Sequence, residues 1–372
     1  MHITLHLTNS CNMTCDYCYN KNKSDSFMDI DTVRKAIDLA SQKSVQTTGI
    51  VFFGGEPLLC KDLIYNTVEY CKWKEKRNEG NYQFKMTTNG TLLDMDFLDF
   101  SKRENVLISL SHDGVQAAHD KHRTINHNEG TFNLLSEKID MLLSSQPYSF
   151  AMMVINPDTA KLFMESVEYL YNKGFRYIMC TVNYLANWTD KTMHILKNEY
   201  KKLSKFYFEK MKQEEKLYLS PFDVKIIFHV RRDTFCYERC ELGKRQVSIS
   251  PDGCIYPCIQ FVNDEKYCIG DVNRGIDSKK QKELYDSNES GKESCNDCAI
   301  KERCNHYCGC INKAATGSLK KVSPMLCEHE RMLLPIADRL ANKLFKKQNP
   351  IFIQKFYNDM YPFISLIEDF SK

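Results

Sequence analysis

Six apolar runs of strand length punctuate the first 230 or so residues, and helical stretches separate them. They are HITLHLT (2–8), GIVFF (49–53), YQFKMT (82–87), VLISLS (106–111), SFAMMVI (149–155) and FRYIMCT (175–181). The first alternates Ile3, Leu5 and Leu7 with polar positions, which is the period of a strand. Between the first two, Val33, Ala36, Ile37 and Ala40 recur at helical spacing behind Asp31 as an expected N-cap. Residues 160–173 and 191–213 carry longer helical patterns. Strand-then-helix repetition dictates an α/β fold with a parallel sheet. Six units predict a partial (β/α)6 barrel rather than the closed form with eight strands. Such a barrel gathers its chemistry at the C-terminal ends of the strands. Four conspicuous motifs fall there: a cysteine loop after the first strand, GGEP after the second, TNG after the third and HDG after the fourth.

The cysteine loop holds Cys11, Cys15 and Cys18 as C-x3-C-x2-C, with Tyr17 just before the last. Three thiolates in one short loop can hold three irons of a 4Fe–4S cluster and leave the fourth iron open to a small molecule. Zinc ligation or unrelated thiols are the plain alternatives for three close cysteines. The chain carries 17 cysteines, of which eleven lie between Cys236 and Cys327. Its start, MHITLHLTNS, has neither the charged nor the apolar region of a signal peptide. In a reducing cytosol, the expected location, such cysteines bind metal more readily than they form disulfides. Cys71, spaced with Ile64 and Val68 on a helix face, reads as a small buried hydrophobe, and Cys180 reads the same way. Net charge is +3 with no long Lys/Arg run, so no nucleic-acid partner is expected. No stretch reaches the apolar length of a membrane span.

The triplet with its preceding aromatic residue resembles the radical SAM (S-adenosylmethionine) superfamily. In that family the open iron chelates the methionine moiety of SAM, and reduction produces a 5′-deoxyadenosyl radical. Gly54-Gly55-Glu56-Pro57 resembles the family's GGEP element, which implies hydrogen bonds to the methionine ammonium and close approach of the ligand to glycine backbone. Thr88-Asn89-Gly90 and Ser111-His112-Asp113-Gly114 are similar to elements of peptide- and protein-modifying members. The resemblance implies SAM contacts from Tyr17 and Asn89, and ribose contacts from Ser109 and Ser111. Arg123, in His119-Asp120-Lys121-His122-Arg123, matches the family's H-D-x-x-R pattern and suits a methionine carboxylate. A surface charge is the plain reading of Arg123, and a hydroxyl satisfied within the fold that of Ser109.

From Cys240 the spacing is C-x12-G-x4-C, through Gly253 to Cys258. Cys295, Cys298, Cys304 and Cys308 follow as C-x2-C-x5-C-x3-C, with Cys327 19 residues on. This pattern resembles the SPASM domain, which binds auxiliary 4Fe–4S clusters behind a radical SAM barrel. The resemblance implies three clusters in all. Cys295, Cys298, Cys304 and Cys327 would hold the distal auxiliary cluster, and Cys240, Cys258 and Cys308 the proximal one. Its fourth ligand stays open among Cys236, Cys254, Cys310 and Cys268; with none, that cluster has an open iron for a substrate thiol. The expected units are residues 1–230 (barrel), 231–330 (SPASM) and 331–372, a C-terminal helical segment whose Leu333, Ile336, Ala337, Leu340 and Leu344 share a face.

SPASM enzymes mostly act on peptides or proteins, so a macromolecular substrate is implied, with a low-potential donor such as flavodoxin or ferredoxin. Two subfamilies compete. Anaerobic sulfatase-maturing enzymes, which make formylglycine, carry an aspartate base directly after the G-x4-C cysteine. Here that position is Ile259, which accepts no proton, leaving Asp264 or another acid as a substitute. Tyr256-Pro257-Cys258-Ile259-Gln260-Phe261 and Ile269-Gly270-Asp271-Val272 look more like ribosomal-peptide maturases that form thioethers. Those often carry an N-terminal leader-binding domain. Only ten residues precede Cys11, which implies a separate leader-binding protein or a surface on the barrel or SPASM domain. No catalytic side chain is assigned. The contrasting class is an iron–sulfur electron carrier or a zinc-stabilised binding protein, although a carrier has no use for GGEP and Arg123.

Overall fold

The computed structural model describes residues 2–20, 23–43, 47–126, 128–231 and 240–370. The six expected runs form strands His2–His6 (β1), Thr48–Phe53 (β2), Tyr82–Thr88 (β3), Val106–Ser111 (β4), Phe150–Ile155 (β7) and Tyr177–Val182 (β8). Between β4 and β7 lies a small hairpin, Thr124–Ile125 (β5) with Glu129–Gly130 (β6). Neighbours β1, β2, β3, β4, β7 and β8 pair in parallel in that order. Strand parity sorts the side chains. Ile3, Leu5, Ile50, Phe52, Phe84, Met86, Ile108, Leu110, Ala151 and Met153 are buried in one core. The alternate positions, among them His6, Phe53, Lys85, Ser109 and Met152, share the other face. Burying each large apolar side chain contributes about 1.5–3 kcal/mol, so the parity of six strands sets the register.

The barrel does not close. Tyr218–Leu219 (β9) ends one edge beside β8. On the other edge Gln246–Ile249 (β10) pairs in parallel with β1, with Val247 opposite Ile3 and Ile249 opposite Leu5. Cys254–Tyr256 (β11), Gly270–Asp271 (β12) and Gly275–Ile276 (β13) follow antiparallel. The cysteine-rich segment thus continues the barrel's own sheet. This adjacency places its thiols beside the loop that follows β1.

The helix Ile30–Lys43 (α1) buries Val33, Ala36, Ile37 and Ala40 as the spacing predicts. Its cap is not Asp31: Asp29 Oδ1 accepts from the Thr32 amide at 2.7 Å, because the helix starts at Ile30 and Asp31 lies in its first turn. On Lys61–Lys76 (α2), Cys71 is buried with Ile64 and Val68, whereas Cys180 is half-buried against the core. The chain continues through Met95–Arg103 (α3), Gln116–His122 (α4), Phe132–Ser145 (α5), Phe163–Lys173 (α6), Asp190–Lys212 (α7) and Ser220–Val230 (α8). Ser278–Glu289 (α9) and Gly309–Thr316 (α10) belong to the cysteine-rich part. Leu333, Ile336, Ala337, Leu340 and Leu344 are buried on one long helix, Pro324–Lys346 (α11), which packs on α7 and α8. That helix begins inside the cysteine-rich segment and carries Cys327. Pro350–Tyr357 (α12) and Tyr361–Phe370 (α13) end the described chain. Among the described residues no helix is long and apolar enough to cross a membrane.

Candidate functional site

The ends of β1, β2, β3 and β4 converge on the cysteine loop. Gly55 N–H donates to Thr8 O at 2.8 Å and Glu56 N–H to Ser10 O at 2.9 Å. A Cβ on Gly55 would lie 1.9 Å from Ser10 O, and one on Gly54 (φ +136°) 2.4 Å from Thr8 O. The two glycines therefore admit the backbone that leads into Cys11, where the expectation was close approach of a ligand. Pro57 follows as the first residue of a short 3-10 turn and is buried.

Glu56 is 1% exposed and ties loops together through three accepted hydrogen bonds. Its carboxylate accepts from Leu58 N (3.1 Å), Thr88 Oγ1 (2.6 Å) and Asn89 N (2.8 Å). Burial raises its pKa to about 7, against the opposing pull of those three donors. Asn89 in turn donates Nδ2 to Asn12 Oδ1 at 2.9 Å and reaches Cys11 Sγ at 3.8 Å. GGEP and TNG thus buttress the cysteine loop from below.

From the side, the loop is held by α4 and the residues that flank it. Thr14 N–H donates to Thr124 O at 2.7 Å. His122 stands between two carboxylates, Asp16 of the loop (Nδ1, 2.9 Å) and Asp158 (Nε2, 3.0 Å). Arg123 is buried, with Nε 3.0 Å from Asp113 Oδ2 and Nη2 donating to Oδ1 at 3.2 Å. The fork expected on a ligand carboxylate is thus occupied by a carboxylate of the chain. Tyr17 OH donates to Asp113 Oδ2 at 2.6 Å, and Val154 N–H to Oδ1 at 2.9 Å. The guanidinium also sits 5.4 Å from the Tyr17 ring centre. Asp113 is the hub, and sequence spacing alone points neither to it nor to His122 as a residue that holds the loop. The H-D-G and H-D-x-x-R runs contained them; their partners come from distant strands. His119 accepts the Asp113 amide on Nδ1 at 3.2 Å, so its Nε2 carries the proton that faces Thr131 Oγ1 at 2.9 Å. Burial holds His119 neutral, with its pKa down at about 2.

Cys15 lies within electrostatic reach of both Cys11 and Cys18. Burial pushes the Cys11 thiol up to about 11, while Arg123 partly offsets the same effect at Cys15. Three half-buried thiols on one short loop are donors an iron cluster takes as thiolates, so the donor set fits one. Ser109 Oγ is buried and has no partner among the described residues; Ser111, on the same strand face, is half-buried. Neither nitrogen of the fully buried His6 has a partner there either. The lumen beneath the loop therefore holds unsatisfied polar groups.

Two further thiol groups follow. Cys240 lies within electrostatic reach of Cys258 and Cys308, and Cys310 joins the latter two. Cys304 neighbours Cys327, Cys298 N–H donates to Cys295 O at 3.2 Å, and Arg331 lies against both Cys298 and Cys327. Cys254, expected as a possible fourth ligand, turns instead to Cys268, whose Sγ is 3.1 Å from Gly270 O. Cys236 lies outside the described residues. Tyr19 stacks on Phe53 at 6.1 Å and stands near Cys11, Cys18 and Cys258, between the first and second groups. Ile259 is half-buried beside Cys258, and Asp264 is exposed. Among the described residues no three His, Cys, Asp or Glu side chains close on a single metal ion.

Residues 5–194 match the Radical SAM superfamily. An uncharacterized protein of Methanocaldococcus jannaschii is 31% identical over 177 residues, which cover 48% of this chain and 60% of that protein. A cysteine-type anaerobic sulfatase-maturating enzyme of Clostridium novyi is 25% identical over 307 residues, 76% of this chain and 78% of its own. Among solved structures, native anSMEcpe with bound AdoMet and Cp18Cys peptide superposes with a TM-score of 0.79 at 19% identity, covering 92% of this chain and 98% of the other. Streptococcus suis SuiB bound to its precursor peptide SuiA gives a TM-score of 0.61 at 13% identity, covering 88% and 75%. These two likenesses are of fold.

Proposed function

The chain belongs to the radical SAM superfamily, and on that premise we propose that it is a peptide-modifying enzyme whose substrate is a Cys-containing ribosomal precursor and whose product carries a thioether cross-link. The family implies a 4Fe–4S cluster and SAM. When bound, they supply an electron transfer that splits SAM into methionine and a 5′-deoxyadenosyl radical. Cys11, Cys15 and Cys18 would hold that cluster. The observation that carries the reading is the convergence of GGEP, TNG and the Asp113–Arg123 pair on this loop, with a second thiol group across Tyr19.

In this reading, Asn89, Ser109, Ser111 and the backbone of Gly54, Gly55 and Pro57 bind SAM over the lumen. Glu56 orients Asn89 and accepts the ligand ammonium on its remaining lone pair. Arg123 and Asp113 hold Tyr17 of the cluster loop, and His122 clamps the loop through Asp16. Cys295, Cys298, Cys304 and Cys327 hold one auxiliary cluster, and the group at Cys240, Cys258 and Cys308 another, making three in all. A flavodoxin- or ferredoxin-type donor in the cytoplasm would supply electrons, and a separate protein could present a leader. The barrel unit would be 1–230 and the SPASM unit 231–330, followed by the helical segment 331–372.

The peptide class is supported by the bound peptides of anSMEcpe and SuiB. Ile259 in place of an acid favours cross-linking over formylglycine formation, since a side chain beside Cys258 that cannot accept a proton removes the base for thiol or alcohol oxidation. The second reading, sulfatase maturation, is favoured by the 25% identity to the Clostridium novyi enzyme over 307 residues. Anaerobic incubation of reduced protein with SAM and each peptide class separates them. A Cys-rich precursor should lose two hydrogens and one alkylatable thiol. Formylglycine on a C-x-P-x-R peptide, with the Cys-rich peptide untouched, supports the second reading instead. Cys18→Ala should abolish release of 5′-deoxyadenosine; wild-type release by that variant would sink the site assignment.

A further inference from the structure

Around the proximal auxiliary group the chain presents four thiols rather than three. Cys308 Sγ and Cys310 Sγ are 3.3 Å apart. Cys310 is hydrogen-bonded to Cys258 as well, and Cys240 lies within electrostatic reach of Cys258 and Cys308. Residues two apart on a helix normally point to different sides. Cys308 escapes that rule because it is the N-cap of α10, with an extended backbone (φ −69°, ψ 92°), and Cys310 sits in the first turn. Gly309 between them is what lets the turn press inward. A Cβ there would fall 2.4 Å from Asn288 Oδ1 and 2.9 Å from Leu242 Cδ2. Leu242 is two residues from Cys240, so this contact brings α10 onto the segment bearing the first thiol of the group. Buried Asn288 and Asn312 hold the approach to the turn by donating to Tyr307 O at 3.0 Å and His306 O at 2.8 Å.

Of the alternatives, Cys254 and Cys268 turn to each other instead. Cys254 is hydrogen-bonded to Cys268, and Cys268 Sγ to Gly270 O at 3.1 Å, in the β11–β12 corner. We propose that Cys240, Cys258, Cys308 and Cys310 form a complete thiolate set for the proximal auxiliary cluster. A cluster held this way has no open iron. These four thiols would leave no iron open to a substrate thiol and would suit the cluster to electron transfer alone. This assignment rests on the three-cluster reading above.

The test uses the full chain carrying Cys11→Ala, Cys15→Ala and Cys18→Ala, so that only auxiliary clusters contribute, reconstituted anaerobically and reduced with dithionite. Iron content and the electron paramagnetic resonance spectrum are read with and without 2-mercaptoethanol. The parent spectrum should be unchanged by the thiol. Adding Cys310→Ala should make one signal thiol-sensitive, or lose one cluster's iron. Cys236→Ala and Cys254→Ala should behave like the parent. Cys310→Ser, which keeps a weaker oxygen donor, should retain the iron with an altered signal. A thiol-sensitive parent, a Cys310→Ser spectrum identical to the parent, or loss confined to Cys236→Ala overturns the proposal. Zinc in this set overturns it together with the three-cluster reading. Failure of the unmutated protein to cleave SAM would count against the enzyme reading alone and leave these spectra as they are.

Discussion

Arg123 shows how little a residue type says until its partner is known. An arginine at this spacing suits a ligand carboxylate, yet its fork lies on Asp113, itself 2% exposed. Removing one partner of a buried ion pair leaves the other charge stranded. Arg123→Ala should therefore destabilise the fold by about 3–5 kcal/mol, read by denaturant unfolding. Intact stability with SAM affinity alone reduced would restore the direct carboxylate role. His6 offers the converse case. Both its nitrogens are buried without a partner among the described residues, and desolvation depresses its pKa to about 3. His6→Phe should raise stability at pH 7.5 by about 1–3 kcal/mol. Below the unfolded value of 6.5 the unfolded chain takes up a proton that the native ring refuses, so native stability falls with pH. The gain from His6→Phe should grow by about 2 kcal/mol between pH 7.5 and 5.0. A gain that does not change with pH would contradict the neutral buried ring.

At the scale of elements, loops at the strand ends support one another. The Gly54–Gly55 turn leaves no room for a side chain beneath Thr8–Ser10. Gly55→Ala should displace the cysteine loop and cost the protein about one cluster in three, measured as iron per chain. Full iron with wild-type SAM cleavage would show that the loop tolerates the shift. The strands themselves were legible from sequence. Val106–Ser111 matches its expected bounds, and the others differ at their ends by one or two residues. Period-two burial is a strong local signal, whereas ends depend on where pairing stops. The cap of α1 shows that limit: two aspartates stand two apart, and only backbone geometry selects Asp29 over Asp31.

For the whole molecule, the decisive feature is the parallel pairing of β10 with β1. It makes the cysteine-rich segment an extension of the barrel sheet and brings the second thiol group beside the first. Reconstituted protein should contain about 12 irons, and the variant lacking Cys11, Cys15 and Cys18 should keep roughly two-thirds of them. A wild-type value near four irons would refute the auxiliary clusters.

The sequence by itself determined the parallel α/β order, the motifs at the strand ends and the two classes of cysteine spacing, because each is written in residues a few positions apart. The tertiary structure decided what those residues meet. It turned Arg123 and Glu56 inward onto partners of the chain, made Asp113 a hub, drew Cys254 to Cys268 and brought Cys310 to Cys258. Thiols tens of residues apart are brought together by sheet order and helix packing, and local spacing carries no information about either.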